Sequence, residues 1–221
     1  MPMDTAPTQT GLPANIFKTG GRIRLVDRQQ LFGHRALTIW LTGLSGAGKS
    51  TIAYELEARL VRGGYSAVVL DGDNLRHGLN RNLGFSAEDR QENIRRVAEV
   101  ARLMNDAGLI VVCACISPLL RDRETARGII GEGKFAEVYV STSLAVCEQR
   151  DCKGLYAKAR AGEIHHFTGI SAPYEAPHRP ALALDTGALR LDESVDMLFR
   201  MVLHCCSPLA AEERHDHEYH I

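Results

Sequence analysis

Residues 43–50 read Gly43-Leu-Ser-Gly-Ala-Gly-Lys-Ser50 and match the pattern G-x-x-x-x-G-K-[ST] at every specified position. A chain of phosphates that lies against bare backbone N–H groups leaves no room for side chains, so glycines are required there. The lysine of such a loop supplies a point charge for the β- and γ-phosphates, and the hydroxyl after it coordinates Mg²⁺. The stretch therefore predicts a binding loop for ATP, with Lys49 and Ser50 in these two roles.

The sequence on either side of the loop favours this interpretation over a glycine-rich turn with an incidental lysine. Residues 36–42 form a short apolar run that is typical of a buried parallel strand. Residues 51–60 carry apolar side chains at helical spacing, and Gly63-Gly64 ends that run. A phosphate-binding loop of this kind joins a strand to a helix, and both are predicted here.

The rest of the chain continues to alternate strand and helix. Further strands are predicted over residues 66–70, 109–116, 135–140 and 181–184. Helices are predicted from Ser86, which begins a capping signal, to before Gly108, and over residues 121–130, 144–150 and 193–206. The alternation predicts an α/β fold of the P-loop NTPase type, with a parallel sheet covered by helices on both faces. Residues 152–178 fit neither element type, and we expect a mobile lid there.

Length and composition bound the organisation and the class of the protein. We expect a flexible leader over residues 1–22, one P-loop domain over 23–207 and a charged, His-rich tail over 208–221. The 26 Lys and Arg residues nearly balance 27 Asp and Glu residues, leaving a net charge of −1 and no global field that would favour nucleic acid or a membrane surface. The longest apolar run, residues 109–116, is too short to span a bilayer.

The cysteines and the N-terminus predict a cytoplasmic protein. None of the six cysteines belongs to a Cys-x-x-Cys pair, so the spacing of a cysteine metal site is missing. Nothing at the N-terminus resembles a signal peptide, and a disulfide framework is therefore not expected. A reducing compartment suits such a chain.

Two acidic residues follow the second predicted strand, in Asp71-Gly-Asp73. In open α/β sheets, ligand-binding groups gather at the carboxyl ends of the strands. A carboxylate there can hold Mg²⁺ through water or accept the proton of an attacking hydroxyl. A surface Asp-Gly turn is the alternative, and the pairing of two acids favours a functional role.

Arginines cluster in the region that follows. Guanidinium groups suit phosphate or sulfate oxygens, although a surface arginine can equally pair with a nearby acid such as Glu92. Arg90 and Asn93 lie three residues apart on one face of a predicted helix, which makes them better candidates for anion binding than Arg95 or Arg96.

Several stretches between Arg24 and Leu189 together resemble the adenylylsulfate kinase family. The matching segments are Gly43–Thr51, Leu70–Arg81, Leu83-Gly-Phe-Ser86, Asp89–Arg96, Ile116-Ser-Pro118, Cys147–Asp151, Lys153-Gly-Leu-Tyr156, Lys158–Glu163, Phe167-Thr-Gly-Ile170 and Pro173–Pro177. The resemblance implies phosphorylation of the 3′-hydroxyl of adenosine 5′-phosphosulfate (APS) by ATP with Mg²⁺, giving 3′-phosphoadenosine 5′-phosphosulfate. It also implies a homodimer and allows an ATP sulfurylase partner.

The resemblance implies roles for individual residues. Asp71 and Asp73 would lie beside the acceptor ribose, with Asp73 as proton acceptor, and Phe85 and Phe167 would sandwich the APS adenine. The implied ATP contacts are Gly43, Leu44, Ser45, Gly46, Ala47, Gly48, Lys49, Ser50, Thr51, Arg150 and Leu189. The expected APS contacts are Asp71, Asp73, Arg76, Phe85, Arg90, Asn93, Ile116, Ser117, Lys153, Phe167 and, from its position in the lid, His166.

Three residues are expected to carry the chemistry: Lys49, Asp73 and Ser117. Ser117 matches a serine described in the family as a phosphoenzyme intermediate, whereas direct in-line transfer needs only positioning and charge neutralisation. His165 and His166 stand where the family often has lysine, glycine or asparagine, so the lid charge here depends partly on pH.

Two other functions compete with this interpretation. One is a P-loop kinase for a nucleoside, shikimate or gluconate, against which the paired aromatic residues and the arginines argue. The other is a nucleotide-gated interaction module or ATPase switch, whose ATP turnover would not depend on a second nucleotide.

Overall fold

A computed structural model describes residue 17 and residues 19–207. Most of the predicted leader and the whole predicted tail lie outside the described residues, so their boundaries stay predictions. The strands are β1 (Leu37–Thr42), β2 (Ala67–Asp71), β3 (Ile110–Ala114), β4 (Phe135–Val140) and β5 (Leu182–Leu184). They form one parallel sheet in the order β2-β3-β1-β4-β5, which confirms the predicted sheet.

Helices cover both faces of this sheet. They are α1 (Leu25–Phe32), α2 (Lys49–Arg62), α3 (Gly72–Arg76), α4 (Ala87–Asp106), α5 (Leu120–Ile130), α6 (Leu144–Arg150), α7 (Leu155–Arg160) and α8 (Leu191–Cys206), with a 3₁₀ turn at Glu132–Lys134. Every side chain of β1 is buried, as expected for a central strand covered on both sides. Ile39 and Leu41 pack towards α2 and α8, whereas Trp40 packs towards α4 and α5.

The strand register sets the position of the functional site. Leu41 of β1 and Asp71 of β2 both align with Ala114 of β3, so these three strands end at one edge of the sheet. The loops that follow them therefore leave the sheet side by side. They are the glycine-rich loop, the Asp71–Asp73 turn and the loop at Ile116–Pro118.

Three helices were not predicted. Helix α1 buries no residue, so no apolar stripe marks it in the sequence. Helix α3 has five residues and is capped by the Asp71 carboxylate. Helix α7 lies inside the segment predicted to be irregular, where it buries Tyr156 and Ala159. In the described part of the chain, no helix has the length and apolar character needed to cross a membrane.

Loss of packing under the glycine-rich loop should destabilise the domain. Leu56 of α2 is fully buried in the main core, so Leu56→Ala should lower the free energy of unfolding by about 2–5 kcal/mol. Val61→Ala, on the exposed side of the same helix, is the matched control and should change it by less than about 0.5 kcal/mol. Urea unfolding followed by circular dichroism measures both, and equal losses would contradict the assignment of the buried face.

Candidate active site

The glycine-rich loop approaches the main chain of β4 closely. A Cβ at Gly43 would lie 2.5 Å from the carbonyl oxygen of Val140, and φ at Gly43 is +152°. Gly48, the N-cap of α2, also has a positive φ of +95°. Glycine is required at both positions because an L side chain is strained there. The first turn of α2 thus presents its unpaired N–H groups to the loop, which is the geometry that binds an anion.

Lys49 lies buried beneath this loop. Its Nζ donates hydrogen bonds to the carbonyl oxygens of Gly43 at 3.0 Å and Leu44 at 2.7 Å. Burial lowers the pKa of Lys49 from 10.5 to about 8, because the ammonium has lost most of its hydration. A phosphate group at the loop would favour the charged form of this lysine.

Asp71 is held rigidly beside the loop. The Ser50 hydroxyl donates to Asp71 Oδ2 at 2.6 Å, and the backbone N–H groups of Asp73 and Asn74 donate to Asp71 Oδ1 at 3.0 and 3.1 Å. These bonds place a carboxylate and a hydroxyl together at the start of α2. Both are hard oxygen donors, the type that Mg²⁺ prefers.

Asp73 has a different environment from Asp71. Its side chain is 68% exposed and forms an ion pair with the ammonium of Lys153, which lies just before α7. The structure therefore distinguishes the two acids of this turn. Asp71 is fixed by hydrogen bonds, whereas Asp73 lines the cavity and pairs with Lys153.

Two arginines form another part of the cavity wall. Arg90 donates to the backbone oxygens of Phe85 at 3.0 Å and His166 at 2.7 Å, and to the Thr168 hydroxyl at 3.2 Å. The Arg76 guanidinium lies 4.4 Å from the centre of the Phe85 ring. Burial lowers the pKa of Arg90, and the neighbouring charge of Arg76 lowers it further. The two positive charges thus lie close together.

Charge pairing separates these two arginines from their neighbours in sequence. Arg95 and Arg96 both bind the Glu92 carboxylate at 2.7 Å. Over residues 19–207, no Asp or Glu side chain forms an ion pair with Arg76 or Arg90. The wall therefore carries two positive charges that lack an anionic partner within the described part of the chain.

The loop, the acids and the arginines enclose one cavity of about 520 Å³. Most of the residues predicted from the sequence line it: Ser45, Gly46, Gly48, Lys49, Ser50, Thr51, Asp71, Asp73, Arg76, Phe85, Arg90, Asn93, Ile116, Ser117, Lys153 and Phe167. Cys115, which was not predicted to do so, also lines it, as does His165 of the adjacent His165-His166 pair.

The remaining predicted residues lie elsewhere. Gly43, Leu44 and Ala47 lie within the loop but do not line the cavity. Arg150 donates to the backbone oxygen of Gly46 at 3.4 Å, and Leu189 packs against the main core. The His166 backbone has a φ of +56° and directs its carbonyl to Arg90, so it is His165 whose position borders the cavity.

The two predicted adenine-stacking residues differ in exposure. Phe85 is 60% exposed and Phe167 only 9%. The Phe167 ring meets the Tyr156 ring edge-on at 5.0 Å, so its orientation is fixed by packing.

Comparison with known proteins agrees with this geometry. A family model described as adenylylsulphate kinase matches residues 35–185. The chain belongs to the adenylylsulphate kinase family. The adenylyl-sulfate kinase of Phocaeicola vulgatus is 59% identical over 177 residues, which cover 80% of this chain and 87% of the relative. That of Staphylococcus haemolyticus is 53% identical over 185 residues, covering 84% and 93%.

A solved structure supports the same assignment. The APS kinase CysC of Mycobacterium tuberculosis, solved in complex with AMPPNP and APS, is 51% identical, with a TM-score of 0.73. The match covers 76% of this chain and 97% of that one.

Two contacts of the loop were missed from the sequence. The Tyr156 hydroxyl donates to the Ser45 backbone oxygen at 2.8 Å and ties α7 to the loop. The Thr186 hydroxyl donates to the Ala47 backbone oxygen at 2.9 Å. Thr186 follows β5, and the rule that ligand-binding groups follow parallel strands could have drawn attention to it.

Removing the lysine of the loop should weaken the binding of ATP. Lys49→Met deletes the buried charge that is expected to bind the phosphates, so we expect the Kd for ATP to rise on the order of 10- to 100-fold. Lys158→Met, on the exposed surface of α7, is the control and should leave the Kd unchanged. Isothermal titration measures both, and equal affinities would exclude Lys49 from the nucleotide site.

Proposed function

We propose that this chain transfers the γ-phosphate of ATP to the 3′-hydroxyl of APS, giving 3′-phosphoadenosine 5′-phosphosulfate. The observation that carries the proposal is the pair Arg76 and Arg90, two arginines with no carboxylate partner among the described residues, in the same cavity as a complete phosphate-binding loop. The phosphosulfate group of APS carries two negative charges and suits two guanidinium groups. Membership of the adenylylsulphate kinase family supports the same reaction.

The two nucleotides would bind at opposite sides of the cavity. The backbone amides of the loop and Lys49 would hold the triphosphate of ATP, with Arg150 and Leu189 near its adenine. Arg76, Arg90 and Asn93 would hold the phosphosulfate. Phe85 and Phe167 would bracket the APS adenine, with Phe167 held in place by Tyr156.

Transfer would proceed in line, with the loop amides and Lys49 neutralising the charge that develops on the transferring group. Asp73 would orient the 3′-hydroxyl and accept its proton, because it is the exposed acid of the cavity. Its ion pair with Lys153 joins two largely exposed side chains and is worth roughly 0–1 kcal/mol, so an arriving substrate can separate them. Lys153 would then remain close to the acceptor.

Ser50 and Asp71 fit a Mg²⁺ site, since their oxygen atoms are already 2.6 Å apart at the start of α2. Ser50 would contribute its hydroxyl, and Asp71 would bind through water. When bound, Mg²⁺ would supply neutralisation of the charge on the phosphates.

Ser117 would help to position the Ile116–Pro118 loop, and the phosphoryl group would pass directly from ATP to APS. Its hydroxyl is buried, accepts a hydrogen bond from Trp40 Nε1 at 3.1 Å and contacts the Cys115 backbone oxygen at 3.4 Å. Both bonds hold the hydroxyl in the protein interior, which supports a structural role over that of a phosphate carrier. The lid motion, the homodimer, the sulfurylase partner and the cytoplasmic location stay predictions from the sequence.

ATP turnover should depend on APS. We expect ADP release, measured by a coupled assay, to rise at least about 100-fold on addition of APS, because an acceptor hydroxyl held in place beside the γ-phosphate reacts much faster than water that is not positioned. Gluconate, shikimate and adenosine lack the phosphosulfate group and should leave the rate at its basal value. ADP release that is independent of APS would indicate an ATPase switch, and stimulation by gluconate or shikimate would indicate another kinase.

The carboxylate of Asp73 should affect the chemical step. Asp73→Asn removes the proton acceptor and should lower kcat by about 10²–10⁴-fold while the Kd for ATP stays within twofold of its original value. Asp196→Asn, at an exposed position on α8 that pairs with Arg59, is the control and should be fully active. Full activity of Asp73→Asn would refute the assigned role.

A further inference from the structure

Arg123 of α5 is a buried arginine whose three guanidinium nitrogens all have partners. Nε donates to Glu137 Oε1 at 2.6 Å, Nη1 to the Ser117 backbone oxygen at 2.7 Å, and Nη2 to the Glu175 backbone oxygen at 2.7 Å. Its side chain is 2% exposed and does not line the cavity. Replacing a buried ion pair by apolar side chains is often neutral or stabilising, so stability alone does not account for this arrangement.

The first of its backbone contacts fixes the loop at Ile116–Pro118. Ser117 is not a glycine and yet has a φ of +39°, a conformation that persists only where the surroundings impose it. The Ser117 carbonyl accepts bonds from Arg123 and from the Thr42 hydroxyl at 3.2 Å. Because Ile116 and Ser117 both line the cavity, Arg123 helps to set the shape of the cavity on the side where APS would bind.

The second contact fixes the carboxyl end of the 152–178 segment. The Glu175 N–H donates to the Pro118 backbone oxygen at 2.8 Å, and Glu175 Oε2 accepts from the Leu120 N–H at 2.7 Å. Together with the bond from Arg123, these join residue 175 to the loop at 117–120. The other end of the same segment carries Lys153, the partner of Asp73.

We propose that Arg123 is a positioning residue for the acceptor site: its planar guanidinium holds the Ile116–Pro118 loop and the Glu175 end of the 152–178 segment in one fixed relation. The proposal rests on the function proposed above. Glu137 orients the guanidinium through Nε, and the fork geometry lets one side chain bind two backbone oxygens at once. Arg123 thereby acts on APS binding without touching APS.

A matched control is available one helical turn away. Arg127 binds the other oxygen of Glu137 at 3.3 Å and lies 4.7 Å from the centre of the Phe135 ring. Arg127 donates no hydrogen bond to residues 116–118 or 175. It therefore shares the carboxylate of Arg123 without the two backbone contacts.

The test compares three variants. Arg123→Met/Glu137→Met removes both charges together, which avoids leaving a buried carboxylate unpaired. Arg123→Lys keeps the charge but cannot form the fork. For both variants we expect the KM for APS to rise about tenfold or more, while the Kd for ATP stays within twofold. The reason is that the paired hydrogen bonds from the guanidinium to the Ser117 and Glu175 backbone oxygens are lost, and both lie on the side of the cavity where APS would bind. Arg127→Met should leave both constants unchanged.

Hydrogen exchange provides a readout that does not depend on activity. Amides of residues 115–120 and 172–178 should exchange faster in the double variant and in Arg123→Lys than in Arg127→Met. Unchanged exchange, or faster exchange with an unchanged KM for APS, would overturn the positioning role. If the unmodified protein shows no APS-stimulated ADP release, the proposed function is wrong, and the positioning role of Arg123 is wrong with it. This measurement comes before any variant is compared.

Discussion

A triphosphate needs a concentrated positive potential, and a chain with a net charge of −1 must create it locally. The parallel register of β1, β2 and β3 is the constraint that allows this, because it ends the three strands at one edge of the sheet. Backbone amides, two acids and the Ile116–Pro118 loop meet there. The arginines of α3 and α4 complete the cavity from the side, so the sheet edge determines where each group can act.

Much of the fold was predictable because its elements repeat at regular spacing. The bounds of β4 and α6 agree with the prediction, and Ser86 caps α4 through the Asp89 N–H as its sequence indicates. Helices α1 and α7 were missed for a physical reason. The first buries nothing and the second has six residues, so neither offers the repeated apolar positions on which periodicity depends.

Most of the residues that line the cavity were predictable from the sequence, but the contacts that fix each of them were not. Sequence spacing brought Asp71 and Asp73 together but could not distinguish them, because the difference comes from Ser50 and Lys153, which are distant in sequence. Arg123 was not predicted for a related reason. Its partners Ser117, Glu137 and Glu175 belong to three separate segments, and only the folded sheet brings them to one guanidinium.

The contact between Gly43 and β4 also limits how this protein can be re-engineered. A side chain at position 43 would collide with the carbonyl group of Val140, which is main chain and has no rotamer to change. A compensating mutation at residue 140 therefore cannot restore space for it, whichever amino acid is chosen. Redesign of the loop must therefore keep glycine at position 43, whereas residues 46 and 47 are held by the Arg150 and Thr186 side chains, which can be exchanged.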